Sequence, residues 1–145
     1  MKNNMKILLP IDGSTNADRA IDHIIGNLHD YHDLPQILLL NVQWKITAGN
    51  VKLFIDKNTI NDYYLEQGML ALTQARAKLQ MAGLPYQYHI SIGTPAQAII
   101  QYANEQGVDQ IVMTKQGQGG LHALLLGSVA SEVTRLTTCP VLVIE

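Results

Sequence analysis

Only one cysteine, Cys139, occurs in 145 residues, so the chain has no internal disulfide and no thiolate set for a zinc site. Aromatic residues are few as well, at 6%. The nearest to a cluster, Tyr63, Tyr64 and Trp44, lacks the basic neighbours that base stacking needs, and reads as core or subunit contact. Charge is sparse and nearly balanced, ten Lys plus Arg against twelve Asp plus Glu. The net charge of −2 removes the electrostatic argument for binding nucleic acid or an anionic membrane. Long apolar runs are missing too. Ile7-Leu8-Leu9 stops at Pro10 and Asp12, which excludes a secretory h-region, and nothing approaches a membrane span. What is present is an apolar fraction of 47%, enough for a sizeable core. One soluble, reduced, cytoplasmic domain spanning residues 1–145 is expected.

Two periods alternate along the chain. Ile7 to Ile11 is a continuous apolar run, as for a strand buried on both faces. Asp12-Gly13-Ser14-Thr15 is turn chemistry, and Thr15 with Asp18 resembles a helix N-terminus. Ala17, Ala20, Ile21, Ile24, Ile25 and Leu28 then form one helical stripe. Ile37 to Val42 is a second buried strand. Residues 43–57 lack periodicity and read as a long connection. A helical pattern runs from about Ile60 to Ala82, with Gly83-Leu84-Pro85 as its stop. Tyr86 to Ile92 reads as a strand. Thr94-Pro95-Ala96-Gln97 offers an N-cap, a Pro at the first helical position and a capping-box Gln, and Gly107 ends that helix. Gln110 to Thr114 is a fourth strand, residues 117–120 a Gly-rich loop, Ser128 to Leu136 a helix, and Val141 to Ile144 the last strand.

Strands alternating with helices imply right-handed crossovers and a parallel sheet covered on both faces. Ligands in such sheets bind beyond the carboxyl ends of the strands, where the strand order reverses. The strands ending at Asp12 and Thr114 flank that point. Gly127-Ser128, read as opening a helix, offers free backbone N–H groups, a dipole that favours anions and a hydroxyl donor. Gly117, Gly119 and Gly120 permit a phosphate-cradling backbone, although on spacing alone a plain connection with an ordinary Ser cap fits somewhat better. Neither a Walker sequence nor a complete G-x-G-x-x-G is present, which disfavours a P-loop NTPase and a Rossmann dehydrogenase. No nucleophile–base pair, paired carboxylates or metal motif appears, so binding is expected in preference to catalysis. His29-Asp30-Tyr31-His32-Asp33 looks like a metal cluster but sits at a helix end, where solvated His is favoured. Cys139 reads as a buried structural thiol.

Several segments together resemble the small single-domain universal stress proteins. They are Leu9-Pro10-Ile11-Asp12-Gly13-Ser14, Gly93-Thr94-Pro95, Gly117 through Gly127-Ser128-Val129, and Cys139-Pro140-Val141-Leu142-Val143. The resemblance implies an α/β fold of the adenine nucleotide α-hydrolase type, a five-stranded parallel sheet in order 3-2-1-4-5 with helices on both faces. It further implies a stress-response protein that binds an adenine nucleotide, ATP or else ADP or AMP, with any Mg2+ held by the phosphates and with slow ATP hydrolysis left open. Family members that bind ATP carry G-x2-G-x9-G-[ST]; Gly117 and Gly127-Ser128 match, while Thr114 replaces the first Gly and Ala130 a common hydroxyl. Carried over by position, the site comprises Pro10, Asp12, Val42, Thr114, Gly117, Gly127, Ser128, Val129 and Ala130. Asp12 would hold the adenosine part, and the Val42 backbone would read the adenine edge. Similar proteins pair through the last strand, which implies a homodimer over Val141, Leu142, Val143 and Ile144. The two departures support an alternative, a dimer without nucleotide that acts through protein contacts.

Overall fold

The computed structural model describes residues 4–44, 57–115 and 123–144. Within them run β1 (Lys6–Pro10), α1 (Thr15–Gly26), a 3-10 turn (Leu28–Asp30), β2 (Gln36–Gln43), α2 (Lys57–Met81), β3 (Tyr86–Ile92), α3 (Pro95–Gln106), β4 (Gln110–Thr114), α4 (Ala123–Leu136) and β5 (Val141–Ile144). All four strand pairs are parallel, in the order β3-β2-β1-β4-β5. The expected α/β architecture is therefore the observed one.

Alternation along the strands divides the core into two layers. Ile7, Leu9, Ile37, Leu39 and Val112 pack with Ala17, Ile21 and Ile24 of α1 and Leu72, Ala75 and Leu79 of α2. Leu8, Leu38, Leu40, Ile111 and Met113 pack on the opposite face with Ile99 and Ala103 of α3 and Ala130 and Val133 of α4. The middle strands carry unbroken apolar runs because both faces are covered.

Helix boundaries correct the sequence reading in four places. The N-cap of α1 is Ser14, one residue before Thr15, and its Oγ accepts from Ala17 N–H at 3.1 Å. Thr94 has the extended backbone of a cap, and its carbonyl accepts the first helical bond from Ala98 N–H, but its side chain makes no cap bond, so the capping box with Gln97 does not form. Gly107 closes that helix as expected, with φ +63° and Val108 N–H donating to Ala103 C=O. Helix α2 starts at Lys57, three residues before Ile60. The largest shift is in α4, which starts at Ala123, five residues before Ser128. Ala123-Leu124-Leu125-Leu126 are strong helix formers and carry the helix upstream of the Gly127-Ser128 signal. Of the connection read over 43–57, Gln43 ends β2, Lys57 begins α2, and 45–56 lie outside the described residues, as does the loop at 117–120.

Candidate functional site

The strand order reverses between β1 and β4, so the carboxyl ends of these two strands face the switch point. Pro10 sharpens the division there. Lys6 C=O accepts from Asp109 N–H at 2.8 Å, which puts the even residues of β1 on the β4 side. The N–H that Pro10 lacks falls on that side too. Accordingly β1 pairs with β2 through Pro10 but with β4 only at Ile7 and Leu8.

Just past β1, half-buried Asp12 organises the turn. Its Oδ1 accepts from Ser14 N–H at 2.9 Å and from Ser14 Oγ–H at 2.6 Å. Ser14 Oγ in turn accepts from Ala17 N–H, so Asp12 anchors the cap of α1 through Ser14. One carboxylate oxygen carries both bonds. Asp12 thus has a structural role in the turn, and neither bond uses its Oδ2.

The end of β2 sits beside this turn. Leu40 C=O accepts from Ile11 N–H at 2.8 Å on the β1 side, and Gln43 C=O accepts from Gly93 N–H at 2.9 Å on the β3 side. Successive strand residues alternate sides, so the N–H and C=O of Val42 face β1 beyond its last strand residue. Below Val42, Asn41 is buried; its Nδ2 donates to Ile11 C=O at 2.8 Å, and its Oδ1 accepts from Gln43 Nε2 at 2.7 Å.

On the other side of the switch point, Thr114 ends β4 and is buried. Met113 lies in the α3–α4 layer and Val112 in the α1–α2 layer, so alternation turns Thr114 toward α1 and α2. Helix α4 approaches from the opposite face. A Cβ built on Gly127 would stand 3.5 Å from Lys115 C=O, which places Gly127 against the residue that follows β4. Ser128 is exposed, Val129 half-buried on the α3–α4 layer, and Ala130 buried. Because α4 begins at Ala123, the amides without intrahelical acceptors are those of Ala123 to Leu126. The expectation that Gly127 and Ser128 supply such amides is therefore corrected: both lie in the second turn.

A family model for the universal stress protein family matches residues 3–145. The chain belongs to this family. It is similar to universal stress protein YxiE of Bacillus subtilis, 30% identical over 147 residues that cover 97% of this chain and 98% of that one. The solved structure of MJ0577, a universal stress protein of Methanocaldococcus jannaschii, superposes with a TM-score of 0.80 at 28% identity, covering 99% of this chain and 96% of that one. A universal stress protein family structure from Arabidopsis thaliana with AMP bound shares the fold, with a TM-score of 0.65 at 22% identity over 97% of this chain and 90% of that one.

In this universal stress protein the fold gathers Pro10, Asp12, Val42 and Thr114 at one end of the sheet and sets Gly127 beside it. Gly117 lies outside the described residues. Other sequence candidates fall elsewhere. His29 and Asp30 are 3.4 Å apart with mostly exposed side chains, and no group of three metal-ligating residues occurs among the described residues. Tyr63 and Tyr64 meet edge to face at 5.9 Å, with Tyr64 buried and Tyr63 exposed, while Trp44 is exposed. Cys139 is half-buried and its Sγ donates to Val108 C=O at 3.5 Å; burial, then the Asp109 carboxylate, push the thiol pKa up. That environment suits a structural thiol. Sequence reasoning missed two groups near the site. One is the Asn41–Gln43 pair, signalled only by a polar residue inside an apolar run. The other is Asp18, 3% exposed in the first turn of α1, whose Oδ1 has no hydrogen-bond partner.

Proposed function

We propose that this universal stress protein is a cytoplasmic stress-response regulator that binds an adenine nucleotide, ATP foremost, at the switch point between β1 and β4. One observation carries the reading: Asp12, the backbone edge of Val42 and Gly127 come from three separate segments and converge at the same end of the sheet. An N–H beside a C=O, as Val42 presents, suits the acceptor and amino group on the adenine edge. Asp12 Oδ2 suits a ribose hydroxyl. The phosphates then run toward α4, where Gly127 permits close approach, exposed Ser128 offers a hydroxyl, and Val129 and Ala130 back the site. Any Mg2+ arrives on the phosphates. AMP in the Arabidopsis relative supports the same ligand class. The activity is binding, with no catalytic residue assigned.

The reading includes a homodimer through β5, an edge strand on which Leu142 and Val143 are exposed. A second reading keeps the dimer and drops the nucleotide. Thr114, buried where the family's ATP motif has Gly, favours it. Mass spectrometry of ligand released from freshly purified protein, with thermal shift against ATP, ADP and AMP, separates the two. A co-purified adenine nucleotide or a saturable shift is the expected result; no ligand and no shift with any of the three makes the nucleotide-free dimer the better account.

A further inference from the structure

Asn41 is 2% exposed in a strand whose preceding four residues are all buried and apolar. A buried side-chain amide is tolerated only when its polar atoms are bonded. Both ends of Asn41 are bonded, and the bonds run in one direction. Ile11 C=O can only accept, so the amide must turn its NH2 toward it. Oδ1 then faces Gln43, which must present its own NH2. The orientation of both amides follows from one backbone carbonyl.

That carbonyl matters because of where it sits in the ladder. Pro10 pairs with Leu40, and Ile11 N–H donates to Leu40 C=O. In a parallel ladder the next rung joins Val42 N–H to Ile11 C=O. This rung is absent from the backbone bonds that continue beyond β1; the Asn41 side chain holds the carbonyl instead. A side-chain bond has replaced a backbone rung at the point where the site begins.

We infer that Asn41, latched by Gln43, is a positioning residue for the nucleotide site: it keeps the Val42 backbone pair open to the base and ties down the Ile11–Asp12 peptide. The inference rests on the nucleotide reading above and adds the device that decides which backbone edge the base meets. The ligand class is a base that presents a ring acceptor next to an exocyclic amine. With Asn41 removed, Val42 N–H is free to close onto Ile11 C=O and is lost to the ligand.

Asn41→Val is the direct test, since a β-branched apolar residue suits a buried strand. Amide hydrogen exchange by NMR reports the rung without any ligand. In wild type, Val42 N–H should exchange at least about tenfold faster than Leu40 N–H, be slowed by ATP, and in Asn41→Val be slow before ATP is added. The Kd for ATP should rise about tenfold in Asn41→Val, the scale of one lost hydrogen bond, and by less in Gln43→Leu. Val42 protection in ligand-free wild type equal to that of Leu40 overturns the inference, as does an unchanged Kd in a folded Asn41→Val. If wild type binds no adenine nucleotide, the nucleotide reading fails, and this inference falls with it. If Asn41→Val does not fold, Val42 exchange in wild type with the Gln43→Leu affinity decides.

Discussion

Gly13 lies directly against Ala71: a Cβ built on Gly13 would stand 3.2 Å from Ala71 Cα and 3.3 Å from its Cβ. The turn after β1 is thus pressed onto the middle of α2, and φ at Gly13 is +89°. Both facts require glycine, one through space and one through backbone conformation. Gly13→Ala should cost on the order of 1–2 kcal/mol, more than the gain from a less flexible unfolded chain. Chemical denaturation checks it, and an unchanged midpoint would show that the turn is free to shift.

Asp18 should make the protein less stable as pH rises. Burial raises its pKa above the ordinary 3.8, Lys78 opposes that, and Asp22 and Asp12 add to it. A folded pKa above the unfolded one means that the native state holds the proton more tightly. The stabilisation is complete below 3.8 and is lost as pH rises through the folded value. Asp18→Asn keeps the shape without the charge, so it should raise stability at pH 7 on the order of 1 kcal/mol and flatten this part of the profile. Urea midpoints from pH 4 to pH 8 measure it. A wild-type midpoint that climbs with pH, unchanged by the substitution, contradicts the assignment.

Gly127 should separate stability from binding. In the second turn of α4 a glycine costs about 1 kcal/mol relative to alanine, and the space toward Lys115 C=O accepts a methyl at ordinary contact distance. Gly127→Ala should therefore melt higher than wild type while its ATP response weakens. Gly127→Val, bulkier and β-branched, should lose the response altogether. Thermal shift reads both, since a ligand at about 100 times its Kd stabilises by roughly 2.7 kcal/mol. Full response in Gly127→Val would remove Gly127 from the site.

Val143 is exposed on edge strand β5 beside half-buried Ile144. Val143→Lys places a charge where a second copy would pair, so a dimer should dissociate with little change in helix or sheet content. Light scattering across a dilution series measures it. A monomeric mass for wild type at micromolar concentration rules out the homodimer.

Local signals carried the elements that the sequence determined by itself. Tyr86–Ile92 and Gln110–Thr114 are strands with the bounds their patterns suggest, and Pro95 and Gly107 bracket α3 because each constrains its own backbone. Sheet topology followed from the alternation of periods together with the family resemblance. The start of α4 was not legible, since Gly127-Ser128 imitates a cap while the upstream Ala-Leu run favours helix, and propensity cannot rank the two. Contacts between elements were out of reach for a different reason. Gly68 looks like a weak point in α2, yet a Cβ there would come within 2.6 Å of Ile90, so the glycine is what lets α2 lie close on β3. Asn41 reads as a flaw in an apolar strand until Ile11 C=O and Gln43 are brought beside it. Periodicity reports which face of an element is buried; which atom of another element meets it depends on register and packing, and these exist only once the chain has folded.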